Sequence, residues 1–247
     1  MTAEKFTARD TALTAVFTAL YVIFGFLKIS PIIGLQGHAI TFAAIIAPLI
    51  GILLGPLAGS FSTFFGGVVG SYFGAFSLPS LASGVATSLC SGLLYRRKRI
   101  IAFLLYTLLF LILAFYPIIG PVWLFPIYTW FQIIGLIILI SPFQGWAERN
   151  FSHSNPSRLA YALFVTSLVS TLAGQMAGTI VFEAFSMSQE TYLATWMATA
   201  FLYPVERTII ALGSTVIGMA LFKLFVSHVG PFSGSSMYEG RSQTSIR

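Results

Sequence analysis

The sequence predicts an all-α fold, a polytopic transmembrane helical bundle. Three observations lead there. Only 8% of the 247 residues are charged and 57% are hydrophobic, whereas a soluble domain carries about 25% charged residues. Long apolar stretches follow one another along nearly the whole chain, and lipid offers backbone groups no hydrogen-bond partner, so each stretch must satisfy itself as a helix. The 13 Lys and Arg residues fall almost entirely between alternate stretches, the pattern that fixes orientation in a multi-pass protein.

A helix that crosses a bilayer needs about 20 mostly apolar residues. Eight segments are candidates: residues 8–29, 39–54, 57–76, 78–95, 100–116, 122–140, 159–182 and 199–226. The second and fourth are short, and the fourth carries Pro79 and Gly84. Pro117, Pro121 and Pro126 crowd the turn between the fifth and sixth. An even number of crossings must separate two cytoplasmic loops, so six or eight spans are allowed, and eight is the preferred count.

Charge sets the expected orientation. With the N-terminus inside, eleven cations lie on the cytoplasmic side: Lys5, Arg9, Arg96, Arg97, Lys98, Arg99, Arg149, Arg158, Lys223, Arg241 and Arg247. Lys28 and Arg207 remain for the outer half. Both termini are therefore expected in the cytoplasm. The net charge of +6 is a topology signal. The basic residues are dispersed at span ends and form no groove for nucleic acid, and the cluster at 96–99 suits anionic lipid headgroups.

The first span is too long for a secretory signal and has no clear cleavage site, so it is read as retained. One transmembrane domain is expected over 1–229. Residues 230–247, rich in Ser and Gly, are expected to form a disordered cytoplasmic tail. Cys90 is the only cysteine. It allows no intrachain disulfide and is read as packing.

Catalytic and metal signatures are missing. The sequence has no Gly-x-x-x-x-Gly-Lys-[Ser/Thr] phosphate loop, no His-Glu-x-x-His and no Gly-x-Ser-x-Gly elbow. His38, His153 and His228 are far apart and not at metal-ligand spacing. The expectation is a protein that is not an enzyme, with no catalytic residues, no metal and no cofactor.

Two features remain. Ala8, Ala12, Ala15 and Ala19 recur at four, three and four residues, a small-residue stripe on one face of the first span. Such a stripe lets helix backbones approach closely in lipid, either within the molecule or with a partner. The glycines at 51, 55, 59, 66, 67, 70 and 74 are read as close packing of the second and third spans. Polar residues, by contrast, gather toward the outside. Gln36 and His38 lie in the first outer loop, Trp123, Tyr128 and Gln132 in the sixth span, Gln175 in the seventh, and Glu206 and Arg207 in the eighth. Ionisable residues inside spans are costly and mark a site or a partner. Arg207 is placed to pair with Glu183 or to bind a substrate anion. Together these residues predict an outward-facing pocket with aromatic walls, a few hydrogen-bonders and one cation.

The segment Ala8-Arg9-Asp10-Thr11-Ala12-Leu13-Thr14-Ala15-Val16-Phe17-Thr18-Ala19-Leu20 resembles the first helix of the substrate-binding S components of energy-coupling-factor transporters. Ile52-Leu53-Leu54-Gly55-Pro56-Leu57-Ala58-Gly59-Ser60 is similar to their turn between the second and third helices. Ser91-Gly92-Leu93-Leu94-Tyr95-Arg96-Arg97 looks like the end of their fourth helix, and Tyr203-Pro204-Val205-Glu206 like the start of their last. The likeness covers roughly the first 97 residues and the last 30. It implies a multi-pass protein of a prokaryotic cell membrane that captures a vitamin, its precursor or a metal ion from outside. It also implies a transmembrane coupling subunit and two ATPase subunits as partners, with Ala8, Ala12, Ala15 and Ala19 docking on the coupling subunit and the loop around Gln36 closing over substrate. Members of that family usually have six helices, which places the surplus pair within 100–182. The first alternative is a self-contained secondary transporter or channel, which predicts two related halves; the second is an intramembrane lipid-processing enzyme.

Overall fold

The computed structural model describes residues 8–31, 39–116, 118–151, 155–186 and 189–228. Within them the protein is all-α apart from one short hairpin. The order is α1 (Ala8–Gly25), β1 (Lys28–Pro31), β2 (Ala39–Thr41), α2 (Ala43–Leu54), α3 (Pro56–Tyr72), α4 (Leu78–Tyr95), α5 (Arg99–Phe115) and α6 (Pro121–Leu124). A single 3-10 turn (Pro126–Thr129) then leads into α7 (Trp130–Ile140), α8 (Pro142–Arg149), α9 (Pro156–Ser186), α10 (Gln189–Thr199) and α11 (Leu202–His228). The antiparallel β1–β2 ladder, with Ser30 opposite Ile40, was not expected from the sequence. Residues Gln36 and His38, and the tail at 230–247, lie outside the described residues.

Local chemistry sets the breaks. Between α2 and α3, Gly55 takes φ 86°, a left-handed conformation that glycine adopts without strain. Pro56 follows at the first position of α3, where its missing N–H costs nothing. Ser77 caps α4, its hydroxyl accepting from the Ser80 amide at 3.3 Å. The end of α4 is a Schellman turn: Lys98 N–H donates to the Leu93 carbonyl at 2.8 Å and Arg97 N–H to Leu94 at 3.0 Å, with Arg97 rather than glycine at φ 56°. Arg99 then ties α5 to the end of α7. Its Nε donates to the Leu139 carbonyl at 2.6 Å and its Nη2 to the Ser141 carbonyl at 2.5 Å, filling acceptors that a helix C-terminus leaves open.

Eight full-length spans are not what the structure contains. Three helices are long and apolar enough to cross a membrane, Leu78–Tyr95, Pro156–Phe185 and Leu202–Leu224, and a fourth crossing exists if Pro126–Ile140 and Pro142–Arg149, bent by 59°, act as one. The shortfall is one of length. Segment 39–54 gives its first residues to β2 and keeps a helix of 12 residues, about 18 Å at 1.5 Å per residue. Helix α5 has 17 residues. Segment 122–140 is broken by Pro126 and restarts at Trp130. Helix α1 has 18 residues, but Arg9, Asp10 and three threonines dilute its apolar character.

The core is organised around α9. Of its membrane-length window 83% is buried, against 44% for that of α11. It packs against α4, α5, α7, α8 and α11. The α4–α9 crossing is close because Gly174 and Gly178 face α4: a β-carbon at Gly174 would collide with Thr87 and with the Ser83 carbonyl. Gly59 likewise lies against Gly51, where an added β-carbon would stand 2.8 Å from the Gly51 Cα, so the expected glycine-mediated packing of α2 on α3 is present. Cys90 is fully buried in the cluster with Tyr106, Leu172 and Met176. Large apolar side chains such as Val16, Ile23, Leu57, Phe61, Phe65, Leu104 and Leu108 are exposed. A continuous apolar exterior of that extent belongs in lipid and not in water.

Candidate functional site

The longest helix is also the one with the most regular polar pattern. Thr171, Gln175, Thr179 and Glu183 follow one another at four-residue spacing along α9, which keeps them on one slowly turning face. Thr171, Gln175 and Glu183 are buried and Thr179 is half-buried. Helix α4 turns Ser80, Ser83 and Thr87 toward it, and the run Thr195, Thr199, Tyr203 and Arg207, again at four-residue spacing, arrives from α10 and α11. A cavity of about 100 Å³ lies between them.

Its lining places it at one end of the bundle. It comes from the last part of α1 (Tyr21), the first turns of α2, the first half of α4, the last half of α9 and the first turns of α11. The Arg96–Arg99 cluster follows the other end of α4. Two aromatic pairs wall the cavity. Tyr21 and Phe76 stack with centroids 5.0 Å apart and an interplanar angle of 10°. Tyr128 and Trp196 stand 6.2 Å apart. The Trp196 indole N–H donates to Glu183 Oε1 at 2.9 Å, and the Tyr192 hydroxyl donates to the Glu183 carbonyl at 3.1 Å. These bonds pin α10 over the end of α9.

Two polar side chains at this cavity have buried atoms without a hydrogen-bond partner. Gln175 is 5% exposed, yet neither its amide nitrogen nor its amide oxygen makes a hydrogen bond. Arg207 is 6% exposed and its Nε is unpartnered. The Arg207–Glu206 ion pair spans 4.0 Å, beyond hydrogen-bond reach, and the Arg207 guanidinium carbon lies 5.9 Å from the Tyr203 ring centroid. Buried groups of this kind are costly when nothing satisfies them. Unsatisfied polar atoms on a cavity wall are where a bound molecule supplies the missing partners.

The structure sorts the residues singled out from sequence. Tyr128, Gln175 and Arg207 line the cavity together. Glu206 is adjacent but does not line it, and its Oε1 accepts from the Ser30 hydroxyl of β1. Gln132 is buried one turn beyond Tyr128 and faces elsewhere: in the orientation that suits its surroundings, its amide nitrogen donates to the Tyr128 and Thr129 carbonyls at 2.9 and 3.2 Å. Trp123 is 63% exposed on α6 and packs edge-on against Phe115, so it contributes no wall. The alternative pairing of Arg207 with Glu183 is not formed, because Glu183 is held by Trp196. Sequence reasoning did not find Tyr21, Phe76, Ser83, Thr87, Thr171, Trp196 or Thr199. Four-residue spacing of polar residues was the readable signal for Thr171 in α9, for Ser83 and Thr87 in α4 and for Thr199 at the end of α10.

A second surface stands apart from the cavity. Ala8, Ala12, Ala15 and Ala19 are all exposed, while Phe17, Tyr21 and Gly25 form the buried face of α1. Thr11, Thr14, Ala15, Thr18 and Ala19 line a shallow groove with Val22, Ile23 and Val69. The small-residue stripe therefore turns away from the body of the protein. Among the described residues no group of three or more His, Cys, Asp or Glu is placed to hold a metal ion. No family model, no curated protein and no solved structure matches this chain.

Proposed function

We propose that this chain is the membrane-embedded substrate-capture subunit of a prokaryotic uptake transporter of the energy-coupling-factor type. It binds a small organic nutrient from outside and hands it to a coupling subunit and two ATPase subunits. The observation that carries the reading is the cavity at one end of the bundle, walled by aromatics, in which Gln175 and Arg207 have unmet hydrogen-bonding capacity. Small-molecule sites have this composition, mostly apolar walls with a few convergent polar groups.

Orientation follows from charge. The Arg96–Arg99 cluster marks the cytoplasmic side, and the cavity is at the opposite end of α4, so it faces out. Crossings by α4, α9 and α11 form the centre, and the shorter helices complete a multi-pass protein of the cell membrane around them. The outward stripe on α1 supports the partner half of the reading. An exposed file of alanines with a groove beside it gives a second transmembrane subunit a flat, close approach, and Ala8, Ala12, Ala15 and Ala19 are its docking residues. The chain supplies no ATP hydrolysis of its own.

Two measurements test this. Mass spectrometry of the detergent-purified chain is expected to find a tightly held small organic molecule. Ala15→Trp is expected to leave that molecule bound while abolishing co-purification with, and uptake through, co-expressed coupling and ATPase subunits. If the unaccompanied chain in vesicles moves the molecule across the membrane without any ATPase, it is a self-contained transporter and the proposal fails.

A further inference from the structure

We propose that the molecule taken up by the cavity is a small ring-bearing monocarboxylate, its acid group on Arg207 and the edge of its ring on Gln175. This rests on the substrate-capture reading above and narrows it to one chemical class. A guanidinium has five N–H donors in a planar fork and no acceptor. That of Arg207 is buried, lines the cavity, and leaves its Nε without a partner. A carboxylate matches the Nε–Nη edge with two parallel hydrogen bonds. Glu206 does not take that role: it stands 4.0 Å from Nη2, outside the cavity lining, with Oε1 engaged by Ser30. It balances part of the arginine charge from behind.

The rest of the wall sets the remainder of the ligand. Arg207 is the one cation among the lining residues, which suits a single negative charge and not a phosphate ester with two. Gln175, on the cavity lining next to Tyr128, carries a donor and an acceptor without hydrogen-bond partners, the complement of a ring nitrogen or a cyclic amide. The Tyr21–Phe76 stack and the Tyr128–Trp196 pair offer ring faces on the cavity wall. A volume of about 100 Å³ is below the roughly 300–1,000 Å³ of sites for drug-sized molecules, which limits the ligand to one small ring system.

Matched acids and amides test the assignment. The purified full-length chain is titrated with nicotinate and nicotinamide, benzoate and benzamide, and indole-3-acetate and indole-3-acetamide, following tryptophan fluorescence and melting temperature. At least one acid is expected to bind, with its amide at least tenfold weaker. Arg207→Gln is expected to erase that discrimination, and Arg207→Lys, which keeps the charge but loses the fork, to retain part of it. Gln175→Leu is expected to weaken nicotinate more than benzoate. If Arg207→Gln does not fold, the acid–amide ratio in the unaltered chain and in Arg207→Lys decides. Amides that bind as tightly as acids, or a co-purified molecule with no acid group, overturn the carboxylate class and leave substrate capture standing. A chain that binds none of the probes and carries no small molecule overturns both.

Discussion

Arg99 and Arg207 stand at opposite ends of the same bundle and are used in opposite ways. Arg99 donates from Nε and Nη2 to the carbonyls of Leu139 and Ser141, closing a helix end. Arg207 is more deeply buried, and its Nε donates to nothing. The same contrast separates two glutamines. Gln132 is buried and its amide nitrogen serves two backbone carbonyls, whereas Gln175 is buried with both amide atoms idle. Arg99 and Gln132 hold the fold together, while Arg207 and Gln175 are held in place by it. Unmet hydrogen bonds occur in the scaffold too, at Gln144 and Glu148 for example; those of Arg207 and Gln175 belong to residues that line a cavity.

Substitutions sharpen this difference, beginning with the largest effect. Arg99→Met removes two charge-assisted hydrogen bonds and strands two helix-end carbonyls. Each such bond is worth about 1.5–3 kcal/mol, reduced here because Arg99 is partly exposed, so a loss of about 2–4 kcal/mol is expected. The check is a fall in melting temperature in detergent with ligand affinity unchanged. Gln132→Leu gives up two neutral hydrogen bonds and is expected to cost about 1–2 kcal/mol, read in the same way. Arg207→Met also leaves the buried Glu206 carboxylate without its cation and is expected to cost more, whereas Gln175→Leu removes only idle atoms, so the ligand-free protein is expected to melt within about 1 kcal/mol of the parent. The change appears instead as a loss of the stabilisation that bound ligand provides. A ligand-free Gln175→Leu that melts far below Gln132→Leu would break the comparison and make Gln175 a structural residue.

The legible and illegible parts of the sequence divide on physical grounds. Helices were legible because the chain is apolar throughout and punctuated by residues with fixed conformational meaning, such as Gly55-Pro56 and Ser77 before Pro79. Their number as crossings was not. Hydropathy alone does not separate a 12-residue buried helix such as α2 from a span, and the pairing of Lys28–Pro31 with Ala39–Thr41 is a contact between separate segments. Tyr128, Gln175 and Arg207, which line the cavity, stood out in the sequence because polar groups deep in apolar surroundings are conspicuous. Trp123 lies off the cavity, exposed on α6, which is separated from α7 by the break at Phe125–Pro126. The threonines and serines of the cavity were overlooked because each is unremarkable alone in a membrane helix, where the hydroxyl often bonds to its own backbone. Thr199, for instance, bonds to the Thr195 carbonyl at 2.7 Å. Only their shared face gives them meaning.

Helix α9 is 31 residues long, about 46 Å at 1.5 Å per residue, and the hydrocarbon core of a bilayer is about 30 Å thick. Lipid barely touches it, however, because its neighbours enclose it. On one flank the acyl chains meet α5, whose 17 residues reach only about 26 Å, while the long α11 also shows them an exposed face. The protein thus has a tall axis and a low flank at α5, and the surrounding bilayer must dip to meet that flank or the flank must tilt. Membrane thickness then acts on that flank of the molecule while its longest helix stays insulated, which makes the choice of host lipid a mechanical variable for the shorter helices.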